Sequence, residues 1–234
     1  MADGSPSSRL GLSHPTTVLV LVSVGWIVIQ TGRYLLPPLA PAIRPTFGID
    51  NAGFGLALSV LWAVYALAQF PAGLTSDDLG YRTTLVGSLA LAGVAFGAFA
   101  LASVYGLWLA MLAVIGVCTG VFLISSRALL SELYGTDRGR ALGIHSAAGD
   151  VAGVIAPLLA TLVLAVTIWW APFVGLLAVG AFGVVGLHAV IRGEYTLRRP
   201  AVSETGHAAV SAVRSWDLLV VTAIYGVYVF ATQG

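Results

Sequence analysis

Seven apolar runs, each long enough to cross a bilayer as a helix, dominate this sequence: residues 17–40, 54–75, 83–104, 107–133, 141–165, 169–191 and 216–234. A helix rising about 1.5 Å per residue needs roughly 20 apolar residues to cross a hydrocarbon core about 30 Å thick. Transmembrane strands need about half that length and alternate apolar with polar residues; these runs do not alternate. Only 9% of the 234 residues are charged and 58% are hydrophobic, against about 25% charged in an average soluble domain. So few charges cannot coat a water-soluble surface. The expected fold is all-α and polytopic in a membrane. It comprises a polar tail at residues 1–16, six spans within 17–191, a polar segment at 192–215 and a seventh span at 216–234.

Arginine supplies all eleven basic residues, a usage that points to a high-GC prokaryotic genome. With the N-terminus in the cytoplasm, Arg9, Arg82, Arg138, Arg140, Arg192, Arg198, Arg199 and Arg214 fall on the inner side. Only Arg44 falls outside, and Arg33 and Arg127 lie within spans. Positively charged loops stay in the cytoplasm, so the expectation is a multi-pass protein of the cytoplasmic membrane with its N-terminus inside. Residues 1–16 lack the charged, apolar, small-residue order of a cleaved signal peptide. The arginines are dispersed between spans, which excludes a nucleic-acid patch. The single cysteine, Cys118, sits in an apolar run and is expected to be buried.

Several chemistries are excluded by what the spans lack. There is no His-Glu-x-x-His metal site and no Gly-x-Ser-Gly nucleophile of an intramembrane protease. There is no lysine to carry a retinal Schiff base. No catalytic residue, metal or cofactor is expected, and the polytopic membrane enzyme remains only as an alternative to a transporter. Gly93 with Gly97, Gly116 with Gly120, and Gly149 with Gly153 form small-xxx-small steps. Such steps let helix backbones approach where no hydrophobic effect drives association.

Between the second and third runs stands Gly73-Leu74-Thr75-Ser76-Asp77-Asp78-Leu79-Gly80-Tyr81-Arg82. Gly80 suits a tight turn in a conformation other residues resist. Asp77 can pair with Arg82 across the turn or meet a helix N-terminus. This segment resembles the signature loop of the major facilitator superfamily in its matching Gly73, Asp77, Gly80 and Arg82, and it stands between the same two helices. Asp78 replaces a residue that is usually basic there. The segment Asp137-Arg138-Gly139-Arg140-Ala141-Leu142-Gly143 resembles the superfamily's entry into helix five. Gly149, Gly153 and Pro157 are similar to the Gly/Pro stripe of drug-exporting members, with Ala156 in place of a glycine. The usual basic residue of helix four is replaced by Leu112.

The resemblance implies a secondary transporter of twelve helices in two six-helix bundles. The solute path between them opens alternately to each side, and each half contains inverted repeats. The chain would supply the first bundle and the opening helix of the second. The run ending at Gly234 without a polar tail reads as a truncation, so the partner to be supplied is the C-terminal half. A half-size transporter that dimerises is the other reading, and the odd seventh run goes unexplained in it.

Charges at membrane depth cost several kcal/mol by insertion scales, and each requires a reason. Arg33, with Gln30 and Tyr34, lies on the helix that lines the path in the family; its fork of donors suits an anionic group. Asp150 is expected on one face with Ser146, Gly149, Gly153 and Pro157, tightly packed and a candidate for a coupling proton or ion. It is also a conceivable partner for Arg33. Arg127 is expected to snorkel or to pair with Glu132, although it too is a pathway candidate. His145 and His188 are read as interfacial. Tyr225 and Tyr228, in the last run, are candidates to face the path. The solute is expected to be small and anionic.

Overall fold

The computed structural model describes residues 13–166, 168–191 and Val220; the side chains of residues 74, 75, 77, 78 and 166 lie outside that description. Residues 1–197 and 198–234 form separate units, and the helices described below belong to the first. They are α1 (His14–Tyr34), α2 (Leu36–Phe47), α3 (Asn51–Ala98), α4 (Tyr105–Tyr134), α5 (Arg138–Val166) and α6 (Ala171–Val190). The polar segment 192–215 and the seventh run, with Tyr225 and Tyr228, fall outside the described residues.

Proline and glycine set the boundaries. The first apolar run was expected to end near Ala40, but helix continues to Phe47. Leu35 keeps helical angles, and its N–H reaches the Thr31 carbonyl at 2.9 Å. Pro37 and Pro38 then lack the N–H groups that would continue the ladder, so the path divides into α1 and α2 rather than stopping. Gly48, at φ 64° and ψ 33°, ends α2. Its N–H bonds Pro45 O, and the Ile49 N–H bonds Arg44 O, the paired pattern of a Schellman stop. Two residues later the Asp50 carboxylate accepts the Gly53 N–H at 2.8 Å and caps α3.

The 48 residues of α3 would reach about 70 Å if straight. They do not, because Gly80 adopts φ 76° and ψ 152° inside the run. This is a region open essentially to glycine alone. The two halves fold back on each other: the hydroxyl of Tyr105, just past the end of α3, donates to Gly53 O near its start at 2.8 Å. The apolar stretch Tyr105–Ala165 is likewise too long for one crossing. Gly135, at φ 48°, and the 3-10 turn Gly135–Asp137 break it into α4 and α5. Residues 13–191 thus hold six crossings, with α2 prolonging the first.

The central helix is α1. It packs against α5 and α6 and touches α3 and α4, while α3 packs along α4 and α6. At the Gly48 end of the bundle, Phe47, Phe54, Phe99, Trp108, Trp169 and Phe173 form one aromatic cluster, with Phe99 and Phe173 4.8 Å apart and edge to face. Toward the bilayer the bundle is apolar outside as well. Leu67, Leu101, Val154, Leu158, Phe182 and Val185 are each more than half exposed, as a lipid-facing surface requires. Cys118 is buried.

The three glycine steps serve different ends. Gly116 and Gly120 bring α4 onto the backbone of α3: a Cβ at Gly116 would lie 2.7 Å from Leu61 O, and one at Gly120 2.8 Å from Tyr65 O. Gly93 and Gly97 instead face the flexible side chain of Leu177. The third step is not a packed pair. Gly149 lies against the Trp26 ring, but Gly153 is exposed with open space around it.

Candidate functional site

Arg33 is 3% exposed. Helical spacing places Gln30, Arg33 and Tyr34 on one face of α1. The Arg33 Nη1 donates to Gln30 Oε1 at 2.6 Å, and Gln30 Nε2 donates to the Tyr34 hydroxyl at 3.2 Å. The first half of α3 adds two rings. The guanidinium carbon sits 4.1 Å from the centre of the Trp62 ring and 4.4 Å from that of Tyr65. These two rings meet edge to face at 5.7 Å, so the cation rests in the notch between them. Cation–π contacts of this kind stabilise by about 2 kcal/mol when desolvated. The α3 register that delivers both rings is set by Gly116 and Gly120, which contact the backbone at Leu61 and Tyr65.

The guanidinium is still incompletely satisfied. Arg33 Nε and Nη2 are buried and have no hydrogen-bond partner among the described residues. A buried donor without an acceptor costs about 1–3 kcal/mol, more when it is charged. The arrangement is therefore a prepared, positively charged donor pair inside an aromatic enclosure.

Two turns toward the Gly80 end lies a second polar node. His145 is fully buried, with Nε2 3.0 Å from Ser126 Oγ and Nδ1 3.5 Å from Ser23 Oγ. Its ring tilts against Trp26, which stacks on Phe122. The node joins α1, α4 and α5, and Gly149 gives Trp26 its room. Near it, Ser76 and Ser125 share a hydrogen bond of 2.6 Å between α3 and α4.

A family model for the Major Facilitator Superfamily matches residues 22–233. The chain belongs to this superfamily. Its fold is similar to that of a bacterial homolog to the human lysosomal transporter Spinster, solved inward-facing and unoccupied. That match has a TM-score of 0.69 at 17% identity, covering 83% of this chain and 47% of that one. It is also similar to a bacterial homologue of the human drug peptide transporters PepT1 and PepT2. Here the TM-score is 0.64 at 20% identity, covering 93% of this chain and 54% of that one. The chain spans about half the length of these solved transporters. Comparison with curated protein sequences gave no match.

Within the superfamily loop, Gly73 lies in α3 and Gly80 makes the turn. Arg82 Nη2 donates to the His188 carbonyl at 2.8 Å, tying the loop to the end of α6. The Asp77 carboxylate, the expected partner of Arg82, lies outside the described side chains. Tyr81 donates its hydroxyl to Glu132 on α4. That contact replaces the expected Arg127–Glu132 pair. Residues five apart on a helix point about 140° away from each other, and Arg127 is exposed.

The expected face of α5 is also corrected. The buried line runs Ala141, His145, Gly149, Ala152, Ala156 and Ala160, whereas Asp150, Gly153 and Pro157 are exposed beside it. Both lines have helical periodicity, and Gly149 belongs to both. Asp150 is therefore not on a packed face, and it is not the partner of the buried Arg33. His145, expected at an interface, is in the core. Ser23 and Ser126 look like ordinary small residues of their spans, so the sequence carried no signal for this cluster beyond the histidine itself.

Proposed function

We propose that this chain forms one six-helix half of a secondary transporter that moves a small anionic solute across the cytoplasmic membrane by alternating access. Family membership and the half-length coverage of the two solved transporters support that reading. So does the inner bias of the arginines, which favours a cytoplasmic N-terminus. A second six-helix unit completes the path. The observation that carries the solute assignment is Arg33, a buried cation with two unpartnered donors on the most central helix. Gln30 and Tyr34 orient it from α1.

The loop from Gly73 to Arg82 acts as the conformational latch, since Arg82 and Tyr81 already fasten it to α6 and α4. Releasing those contacts lets the halves rock. The exposed Asp150 is the candidate for a coupling proton or ion, and the exposed Arg127 belongs to the same path.

The test is solute uptake into proteoliposomes that hold the complete two-unit transporter. Arg33→Ala is expected to abolish concentration-dependent uptake, and Asp150→Asn to uncouple it from an imposed proton gradient. Unchanged uptake in both variants would remove the site while leaving the fold intact. Replacing Asp77 should slow cycling without weakening equilibrium binding; a large loss of affinity with normal cycling would refute the latch.

A further inference from the structure

We infer that the Arg33 site is built for one carboxylate, held side-on by Nε and Nη2; the inference rests on the transporter reading above and names the ligand chemistry of that site. Three observations converge on it. The first is which nitrogens are unpartnered. A guanidinium offers carboxylates two forks, an end-on pair and a side-on pair formed by Nε–H and the N–H of the amino group beside it. Gln30 holds Nη1 at 2.6 Å, which removes the end-on fork, and the two nitrogens left without partners are those of the side-on fork. Two parallel donors in one plane match the two oxygens of a planar carboxylate.

The second observation is charge. The enclosure around Arg33 is aromatic, and its polar groups are the neutral Gln30 and Tyr34 from α1 and the phenol of Tyr65 from α3, which interacts with the guanidinium. Other described arginines are engaged or placed elsewhere. Arg44 bonds Asn51, Arg82 bonds the His188 carbonyl, and Arg127 is exposed on α4 near His145. One cation in a low-dielectric site is neutralised by one negative charge. A doubly charged oxyanion would leave a buried excess charge, which is strongly disfavoured.

The third observation is access. Trp62 covers the guanidinium yet is 42% exposed, and Tyr34 and Tyr65 beside it are half-buried. Turning of that ring opens the fork, and the same ring reports occupancy.

The carboxylate has two sources: the transported solute, or an acidic side chain of the second unit. The experiment separates them. Emission of Trp62 is followed in nanodiscs at pH 8, with Trp62→Phe subtracted to remove the other tryptophans. The probes are acetate, benzoate, the neutral isostere benzamide and the dianion sulfate. Titrations are run on the 234-residue chain and on the two-unit transporter. Acetate and benzoate are expected to give a saturable change, with benzamide and sulfate at least tenfold weaker. Arg33→Lys keeps the charge but loses the fork, and it should weaken both carboxylates at least tenfold. Should that variant not fold, the ranking of the four probes on the unaltered chain carries the test.

A response in both forms assigns the carboxylate to the solute. A response in the 234-residue chain alone assigns it to a side chain of the second unit. Sulfate or benzamide binding as well as benzoate, full affinity in Arg33→Lys, or no saturable response to either carboxylate would overturn the inference. Uptake that depends on Arg33 but is not inhibited by any carboxylate would overturn it too, while leaving the transporter reading standing.

Discussion

Substituting Gly116 or Gly120 by alanine should destabilise the bundle from a position whose nearest neighbours include no polar side chain. A Cβ at Gly116 would stand 2.7 Å from Leu61 O and 3.1 Å from Tyr65 N; at Gly120 it would stand 2.8 Å from Tyr65 O and 3.0 Å from the Ala68 Cβ. The obstructing atoms are mostly backbone, so no rotamer change relieves them. An ordinary contact begins near 3.4 Å, and the first half of α3 must therefore withdraw from α4 by about 0.6–0.7 Å, or bend. Overpacking of this kind costs about 1–3 kcal/mol. Alanine returns about 1 kcal/mol of helix propensity, which leaves a net loss of up to about 2 kcal/mol per site. The two sites push on the same α3 segment, so one withdrawal relieves both, and the double variant should fall short of additivity. Because that segment carries Trp62 and Tyr65, the cation–π contacts of Arg33 loosen with it, and the Trp62 emission should shift. Gly153→Ala is the matched control: it has open space, and is expected to be neutral or stabilising by up to about 1 kcal/mol. The assay is equilibrium unfolding in mixed micelles with increasing dodecyl sulfate, read by far-UV circular dichroism. Equal stabilities for Gly116→Ala, Gly120→Ala and Gly153→Ala would refute the close α3–α4 approach.

Other substitutions test separate features. Gly80→Ala places a Cβ at φ 76° and ψ 152° and should cost about 1–3 kcal/mol although nothing crowds the site; wild-type melting would show that the turn does not need glycine. His145→Ala removes a core ring and its two serine contacts, with an expected loss of about 2–4 kcal/mol; a change within about 0.5 kcal/mol would return His145 to the interface. Asp50→Ala removes the α3 cap and should cost about 1 kcal/mol, whereas Asp50→Ser should restore most of it in the same unfolding assay.

Much of the fold was legible because a bilayer imposes a length. The apolar runs between residues 54 and 191 coincide with crossings to within a few residues, and Gly80 could be placed at a turn from its motif alone. The first run was misjudged because four prolines between residues 37 and 45 look like a stop. Proline's fixed φ is compatible with helix, however: Pro37 and Pro38 fall in the first turn of α2, where a missing N–H costs little, and Pro41 and Pro45 are carried inside it. Arg33 with Gln30 and Tyr34 was legible too, since neighbours three and four apart on a helix must meet. The identity of its other wall was not. Nothing in the local sequence of α3 marks Trp62 and Tyr65 as the rings that meet Arg33.

The α5 face shows where sequence reasoning stops. The lines through Gly153 and through Ala152 have the same period and nearly the same small residues, and a glycine pair carries the same signature whether or not a helix lies against it. Only the placement of Trp26, reaching from α1 onto Gly149, decided which line is inside. By itself the sequence determined the six crossings among the described residues, the turn at Gly80 and the superfamily, because each follows from local composition and short motifs. The tertiary structure alone decided which polar side chains are buried and which donors of Arg33 stay unpartnered, because burial and satisfaction are properties of what neighbouring helices bring.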